Sequence, residues 1–194
     1  MAVIGVLGAG TWGMALARML SNTGNKVTVW SALPDEVTQY AKTRRHPNLP
    51  DMVIPDEIAF TGDLQEVCTE KDILLFAVPS VYVRSTAAAA APFVPEDQLI
   101  VDVAKGIEKE TLFTMTEILR DVLGNRCRLV ALSGPTHAEE VAMDLPTTIV
   151  SASEDPKSAR FIQNVFTNSC MRVYTNPDVK GVELCGAMKN IIAL

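Results

Sequence analysis

Short apolar runs alternate along this chain with longer segments whose apolar residues recur every three or four positions. Ala2–Leu7 is an apolar run ending in Gly8, the pattern of a buried strand. Thr11–Gly24 follows with Ala15, Leu16, Met19 and Leu20 on one helical face, closed by Gly24. Lys26–Trp30 is β-branched and apolar, and Pro34 opens a helix to about Thr43. Residues 44–57 hold three prolines and read as a loop. Ile73–Val78 has the character of a central strand stopped by Pro79, and Val81–Ala91 that of a helix whose small residues allow close packing. A strand over Leu99–Val103, a helix over Glu110–Leu123 and a strand over Leu129–Leu132 continue the alternation. So do Thr147–Ser151, a helix from about Pro156 to Phe166, and Met171–Tyr174. Asp178–Leu194 is patterned as a helix, but its apolar end, Ile191–Leu194, lacks a Gly or Pro cap and looks cut in mid-element. Neither an internal repeat nor a flexible linker interrupts the pattern.

Alternation of this kind predicts an α/β fold: a doubly wound, mostly parallel, Rossmann-like sheet covered by helices on both faces. Ligands of such sheets bind beyond the carboxyl ends of the strands. The loops that matter are therefore 8–13, 30–34, 78–82, 104–108 and 133–137. The first of them reads Gly8-Ala9-Gly10-Thr11-Trp12-Gly13, a G-x-G-x-x-G that follows a strand and opens a helix, as dinucleotide binding requires. In that reading Gly8 permits the turn, Gly10 lets the backbone approach a pyrophosphate, and Gly13 lets the helix lie against the strand. The helix N-terminus then holds the phosphates. The alternative is a tight turn without a ligand. At the end of the second strand, Trp30-Ser31-Ala32-Leu33 offers neither the acid usual for NAD nor an Arg for a 2′-phosphate. Ser31 is left to bond a ribose hydroxyl or a phosphate oxygen, and discrimination between NAD and NADP should be modest. Arg44 and Arg45 have no place that sequence assigns.

Two lysines stand out. Lys105, in Ala104-Lys105-Gly106, follows a strand and faces the crevice unless it is a plain surface lysine. Lys189 shares a helical face with Val182, Cys185 and Gly186, where partial desolvation favours proton transfer near neutral pH and Gly186 leaves room for a small substrate. A snorkelling lysine is the competing reading. Ser133-Gly134-Pro135-Thr136 also follows a strand. Thr136-His137-Ala138-Glu139 fits a capping box, with Thr136 as N-cap and His137 as a helix-start residue rather than a general acid.

Composition narrows the function. With 48% hydrophobic and 21% charged residues the chain is globular, and a net charge of −6 argues against a general nucleic-acid binder. The basic run Lys42, Arg44, Arg45 and His46 reads as a solvated helix end. Cys68, Cys127, Cys170 and Cys185 have no zinc-type spacing; their apolar surroundings predict buried thiols in a reducing compartment. There is no apolar stretch long enough to span a membrane. The uncharged start lacks a basic leader and is interrupted by glycines and Trp12, so it reads as structure rather than a secretory segment.

Taken together, Gly8–Gly13 with Trp12, Ala104-Lys105-Gly106, Ser133-Gly134-Pro135-Thr136 and Gly181–Asn190 resemble the NAD(P)-dependent glycerol-3-phosphate dehydrogenases of the bacterial type, in family order and at family-like spacing. Asn48-Leu49-Pro50 and Ile54-Pro55 also look like that family's loop after the second helix. The resemblance implies reversible reduction of dihydroxyacetone phosphate to sn-glycerol 3-phosphate with NAD or NADP as cofactor. It further implies a role in phospholipid synthesis, a cytoplasmic location, no nucleic-acid partner, no membrane insertion and a possible homodimer. By motif, Gly8, Gly10, Thr11, Trp12, Gly13, Ser31, Lys105 and Ala138 would meet the cofactor; Lys105, Gly134 and Thr136 the substrate; and Lys189 would be the general acid/base, with no metal. Ala32 and Leu33 stand where the family often carries Arg. The family's helical second domain, with its Arg-Asn pair for the substrate phosphate, has no counterpart. The implied organisation is a dinucleotide-binding domain over 1–176, with 177–194 leading into that domain and the isolated chain inactive. A redox-sensing dinucleotide module and a related two-domain hydroxyacid dehydrogenase are the competing functions.

Overall fold

The most apolar run in the chain becomes the middle of a sheet. In the computed structural model, which describes residues 1–192, Ile73, Leu74, Leu75 and Phe76 are all fully buried. They form β4, flanked by β1 (Val3–Leu7) and β5 (Leu99–Asp102). Outward on one side lie β2 (Lys26–Trp30) and β3 (Ala59–Thr61); on the other lie β6 (Arg128–Ser133), β7 (Thr147–Ala152) and β8 (Met171–Asn176). The order β3-β2-β1-β4-β5-β6-β7-β8 reverses direction between β1 and β4, and that reversal opens a crevice at their carboxyl ends.

Helices cover both faces. On one, Met14, Leu16 and Leu20 of α1 (Thr11–Asn22) pack on Ile4, Val6 and Val101, and Ile162 and Phe166 of α7 (Pro156–Phe166) extend that core toward β7. On the other, α4 (Val83–Ala90) and α5 (Met115–Leu123) lay Val83, Ala87, Ile118 and Leu119 on Leu7, Leu74 and Phe76. Each Val, Leu, Ile, Met or Phe side chain among them taken from water contributes roughly 1.5–3 kcal/mol. Polar caps fix the ends: Asp155 accepts the amides of Lys157 and Ser158 at 3.1 and 3.0 Å at the start of α7.

The strand and helix boundaries follow the apolar pattern closely, and α2 (Pro34–Thr43) matches it at both ends. The exceptions are instructive. β3 and α3 (Leu64–Cys68) were not legible in the pattern, because three and five residues are too few to show a period. α5 begins at Met115 rather than Glu110. Leu112 takes φ 59°, which breaks the helix, and Thr114 with Glu117 forms a capping box that restarts it. No capping box forms at Thr136; His137 is the N-cap of the short α6 (Ala138–Ala142). The helix predicted over 178–194 is two, α8 (Val179–Ala187) and α9 (Lys189–Ile192), because Met188 leaves helical geometry at φ −89°, ψ 1°. Of the apolar end Ile191–Leu194, the last two residues lie outside the described residues. The four thiols are not all buried either. Cys68 is, and burial pushes it up to about 11, but Cys127 and Cys170 are half-buried and Cys185 is exposed.

The pair β6–β7 is antiparallel, while β7–β8 and the remaining pairs are parallel. Residues 134–146 carry only α6, which packs on α1, so the chain re-enters the sheet from the end it left. α8 then runs back along β6 and brings Lys189 to the carboxyl end of that strand.

Candidate active site

The three glycines of the loop after β1 differ in what they are for. Gly8 has φ +121°, and a Cβ there would lie 2.7 Å from the carbonyl oxygen of Ala77 at the end of β4. At Gly13 a Cβ would run into the carbonyl oxygen of Gly8. Both are therefore demanded by the fold. Gly10 is the N-cap of α1 at φ −70°, ψ 175°, angles open to any residue, and its Cβ position has no protein atom within 4 Å. It faces an open crevice, and α1 begins there without a side-chain cap. A helix start with free N–H groups and backbone bare of side chains fits a pyrophosphate.

Two clefts meet at Gly10. One, of about 460 Å³, is bounded by Thr11, Trp12, Lys105, Thr136, His137 and Ala138. The other, of about 680 Å³, runs past Gly8 to Ser31, Leu33 and Glu36. A third hollow of about 480 Å³ adjoins through Gly134 and holds Gly186 and Lys189. Every residue that the sequence reading assigns to cofactor, substrate or proton transfer thus lines one of these hollows or, as with Gly13, shapes the turn between them.

The lysines converge on one loop from two sides. Lys105 Nζ donates to the carbonyl oxygen of Gly134 at 3.0 Å and to Thr136 Oγ1 at 3.2 Å. Lys189 Nζ donates to the carbonyl oxygen of Thr136 at 3.1 Å and lies 3.5 Å from His137 Nε2. Lys105 also stands 6.0 Å from the centre of the Trp12 ring, whose indole N–H is buried without a partner. Burial, reinforced by the positive charge of Lys189, brings the Lys105 ammonium down to about 8. Below it, Asp102 at the end of β5 is fully buried, and burial followed by the neighbouring Glu183 raises its carboxyl well above the usual range. Glu183 accepts both the amide and the hydroxyl of Thr116, at 2.8 and 2.5 Å, tying α8 to α5.

Gly186 does not make room for a substrate. A Cβ there would collide with Ser133 Oγ, so its smallness lets α8 lie against β6. Of the basic run, Lys42 in the last turn of α2 and Arg45 just beyond it are exposed, as a solvated helix end would be, whereas Arg44 and His46 are drawn into the fold. Arg44, at φ 52°, donates to the carbonyls of Pro55, Ile58 and Asp56, and Arg45 to that of Pro50; neither reaches the cofactor crevice. His46 is buried, which lowers its pKa against a hydrogen bond to the backbone of Ala9. Its Nδ1 accepts the amide of Asn48, and Asn48 in turn donates to Thr11 Oγ1 at 3.0 Å. The 44–57 loop is thus pinned onto the glycine loop. Sequence reasoning also passed over Glu36, because it sits inside α2 rather than at the end of β2. Its signal was the helical spacing that returns the first turn of α2 to Ser31.

A family model described as the N-terminus of NAD-dependent glycerol-3-phosphate dehydrogenase matches residues 3–159. The chain belongs to that family. A curated relative, glycerol-3-phosphate dehydrogenase [NAD(P)+] 2 of Lactobacillus delbrueckii subsp. bulgaricus, is 66% identical over the whole of this chain. The corresponding protein of Agathobacter rectalis is 46% identical. The crystal structure of glycerol-3-phosphate dehydrogenase from Coxiella burnetii superposes with a TM-score of 0.92 at 32% identity over 99% of this chain. The chain spans 59% of the length of the Lactobacillus relative, 58% of the Agathobacter one and 59% of the Coxiella chain. The family model is named for NAD, and the two relatives for NAD(P)+. Among the described residues, no helix is long and apolar enough to cross a membrane, and no cluster of His, Cys, Asp and Glu could hold a metal ion.

Proposed function

We propose that this chain supplies the cofactor cleft and the proton-transfer lysine of an enzyme that interconverts dihydroxyacetone phosphate and sn-glycerol 3-phosphate, in the cytoplasm and in service of phospholipid synthesis. The observation that carries the proposal is the meeting of Lys105 and Lys189 on residues 134–137, at the mouth of the cleft that Gly10 leaves open. Residues 1–176 form the dinucleotide-binding domain in this reading, and 177–194 deliver Lys189. Gly8, Gly10, Thr11, Trp12, Gly13, Ser31 and Ala138 border the cofactor.

A bound reduced nicotinamide supplies the hydride. The chain's own residues do the rest. Lys105, with Gly134 and Thr136, orients the substrate and offers its ammonium to the substrate's negative charge. Lys189 donates a proton to the carbonyl oxygen as the carbon is reduced, and accepts it back from the hydroxyl in the reverse direction. A lysine already hydrogen-bonded to a backbone carbonyl is held in place to do so. Among the described residues no arginine lines the clefts that hold Lys105 and Lys189, so the substrate phosphate lacks the bidentate partner it favours.

The test fuses residues 1–194 to the part of the Lactobacillus relative that lies beyond the matched region. NADH oxidation is followed with dihydroxyacetone phosphate. The fusion should turn over, and Lys189→Ala should lower kcat by about 10²-fold or more while leaving NADH affinity nearly intact. The 194-residue chain alone should be slower by a similar factor or worse, since positioning supplies about 7–11 kcal/mol of such barriers. An active K189A fusion would refute the assignment of the proton donor. A fusion that binds NADH without turnover would favour the redox-sensing reading.

A further inference from the structure

The far end of the cofactor crevice holds an acid beside Ser31 that does not stand at the end of the second strand. Beyond Ser31 the crevice is closed by the first turn of α2, and the side chain that lines it there is Glu36. Ser31 is buried, and its hydroxyl donates to Glu36 Oε2 at 2.5 Å while accepting the amide of Leu33 at 3.1 Å. The hydroxyl's single proton is therefore committed, and both Ser31 and Glu36 face the crevice as acceptors. Among the described residues, no lysine, arginine or histidine lines this part of it. Arg44 and Arg45, the nearest cations in sequence, are bound to the carbonyls of the 44–57 loop. The positive end of α2 would otherwise welcome an anion, but Asp35 and Glu36 occupy its first turn.

We infer that Glu36, held by Ser31, selects against a 2′-phosphate and makes the dinucleotide of this protein NAD rather than NADP. Two acceptors, one of them charged, complement the paired hydroxyls of an unmodified ribose, which donate. The same two acceptors oppose a phosphate dianion, which can only accept and which brings like charge beside a half-buried carboxylate. The acid that dinucleotide sites usually place at the end of the second strand is here supplied from the following helix.

This inference rests on the cofactor-site reading above, and the experiment separates the two. Dissociation constants for NADH and NADPH are measured on the 194-residue chain, together with the fragments 5′-ADP and 2′,5′-ADP. The chain should bind NADH at least about 10-fold more tightly than NADPH, and the fragments should show the same order. Glu36→Gln keeps size and hydrogen bonding but removes the charge. It should bring the two dinucleotides within about 3-fold of each other, mainly by improving NADPH. Asp35→Asn makes the same change in net charge one residue earlier, away from the crevice, and should leave the ratio unchanged. Failure to bind either dinucleotide would overturn the cofactor site and this inference with it. Equal binding of both by the unaltered chain, a ratio untouched by E36Q, or an equal response to D35N would overturn the role of Glu36 while leaving the cofactor site standing.

Discussion

Replacing Gly10 by valine separates binding from folding more cleanly than any other change in the glycine loop. The backbone at Gly10 already has angles that valine adopts, and the new Cβ would meet no protein atom within 4 Å. On the stability side two small terms oppose each other. Restricting the unfolded chain favours the variant by about 0.4–1 kcal/mol, and losing glycine at the N-cap costs it roughly 0.5–1 kcal/mol. The melting temperature should therefore move by less than about 4 °C. On the binding side the isopropyl group fills the space from which a pyrophosphate would reach the amides at the start of α1. Hydrogen bonds to a charged group are worth about 1.5–3 kcal/mol each, so losing two costs about 3–6 kcal/mol, or roughly 10²–10⁴ in Kd. NADH titration by fluorescence and a thermal melt of the same sample measure both. An unchanged Kd would refute the placement of the pyrophosphate at Gly10. Gly13→Ala provides the contrast, because its Cβ collides with the carbonyl of Gly8; it should unfold at distinctly lower temperature whether or not cofactor is present.

Two further outcomes follow from buried charge. Because the ammonium of Lys105 titrates near 8, affinity of the fused enzyme for glycerol 3-phosphate should fall as pH rises from 7 to 9; calorimetry at the two pH values reads this, and Lys105→Met should weaken binding and flatten the trend. Asp102 has a folded-state pKa above its unfolded value, so the folded form holds more protons, and stability should decline as pH rises from about 4 through that raised value; Asp102→Asn should flatten the slope and be the more stable protein at pH 8 in urea unfolding, and a steeper slope would contradict it.

What could be read from the sequence was whatever repeats or punctuates. α1 is periodic over enough residues to declare its type, β4 is an unbroken apolar run, and Pro34 and Pro156 mark helix starts that the structure keeps. The glycine loop and Lys105 were legible because the carboxyl ends of parallel strands gather ligand-binding residues, and Lys189 because it shares a helical face with the small and apolar residues Val182, Cys185 and Gly186. What was hidden depends on contacts across the chain. Nothing near Gly186 in sequence shows that its bare backbone serves Ser133, more than fifty positions earlier, rather than a ligand. The tethering of Arg44 to Pro55, Ile58 and Asp56, and the reach of Asn48 to Thr11, are set by how a proline-rich loop folds back, which has no period to detect. The antiparallel turn of β7 was invisible for the same reason. Strand direction is decided by how the connection packs, and α6 is short enough to leave the chain on the side it came from.

The fit of Gly8 against Ala77 also sets a timetable for synthesis. The turn after β1 has no wall to close upon until β4 has been made, about 70 residues later. At roughly 5–20 residues per second, that is a wait of about 4–14 s during which the glycine loop exists as chain but not as a crevice. Lys105 and the 134–137 loop come later still, and Lys189 arrives last because α8 must first lie back along β6. The protein therefore acquires its parts in the order cofactor wall, substrate loop, proton donor. A chain that ended shortly after β5 would include every residue of the cleft that runs from Gly8 to Glu36, but neither the 136–138 wall of its neighbour nor the lysine for proton transfer.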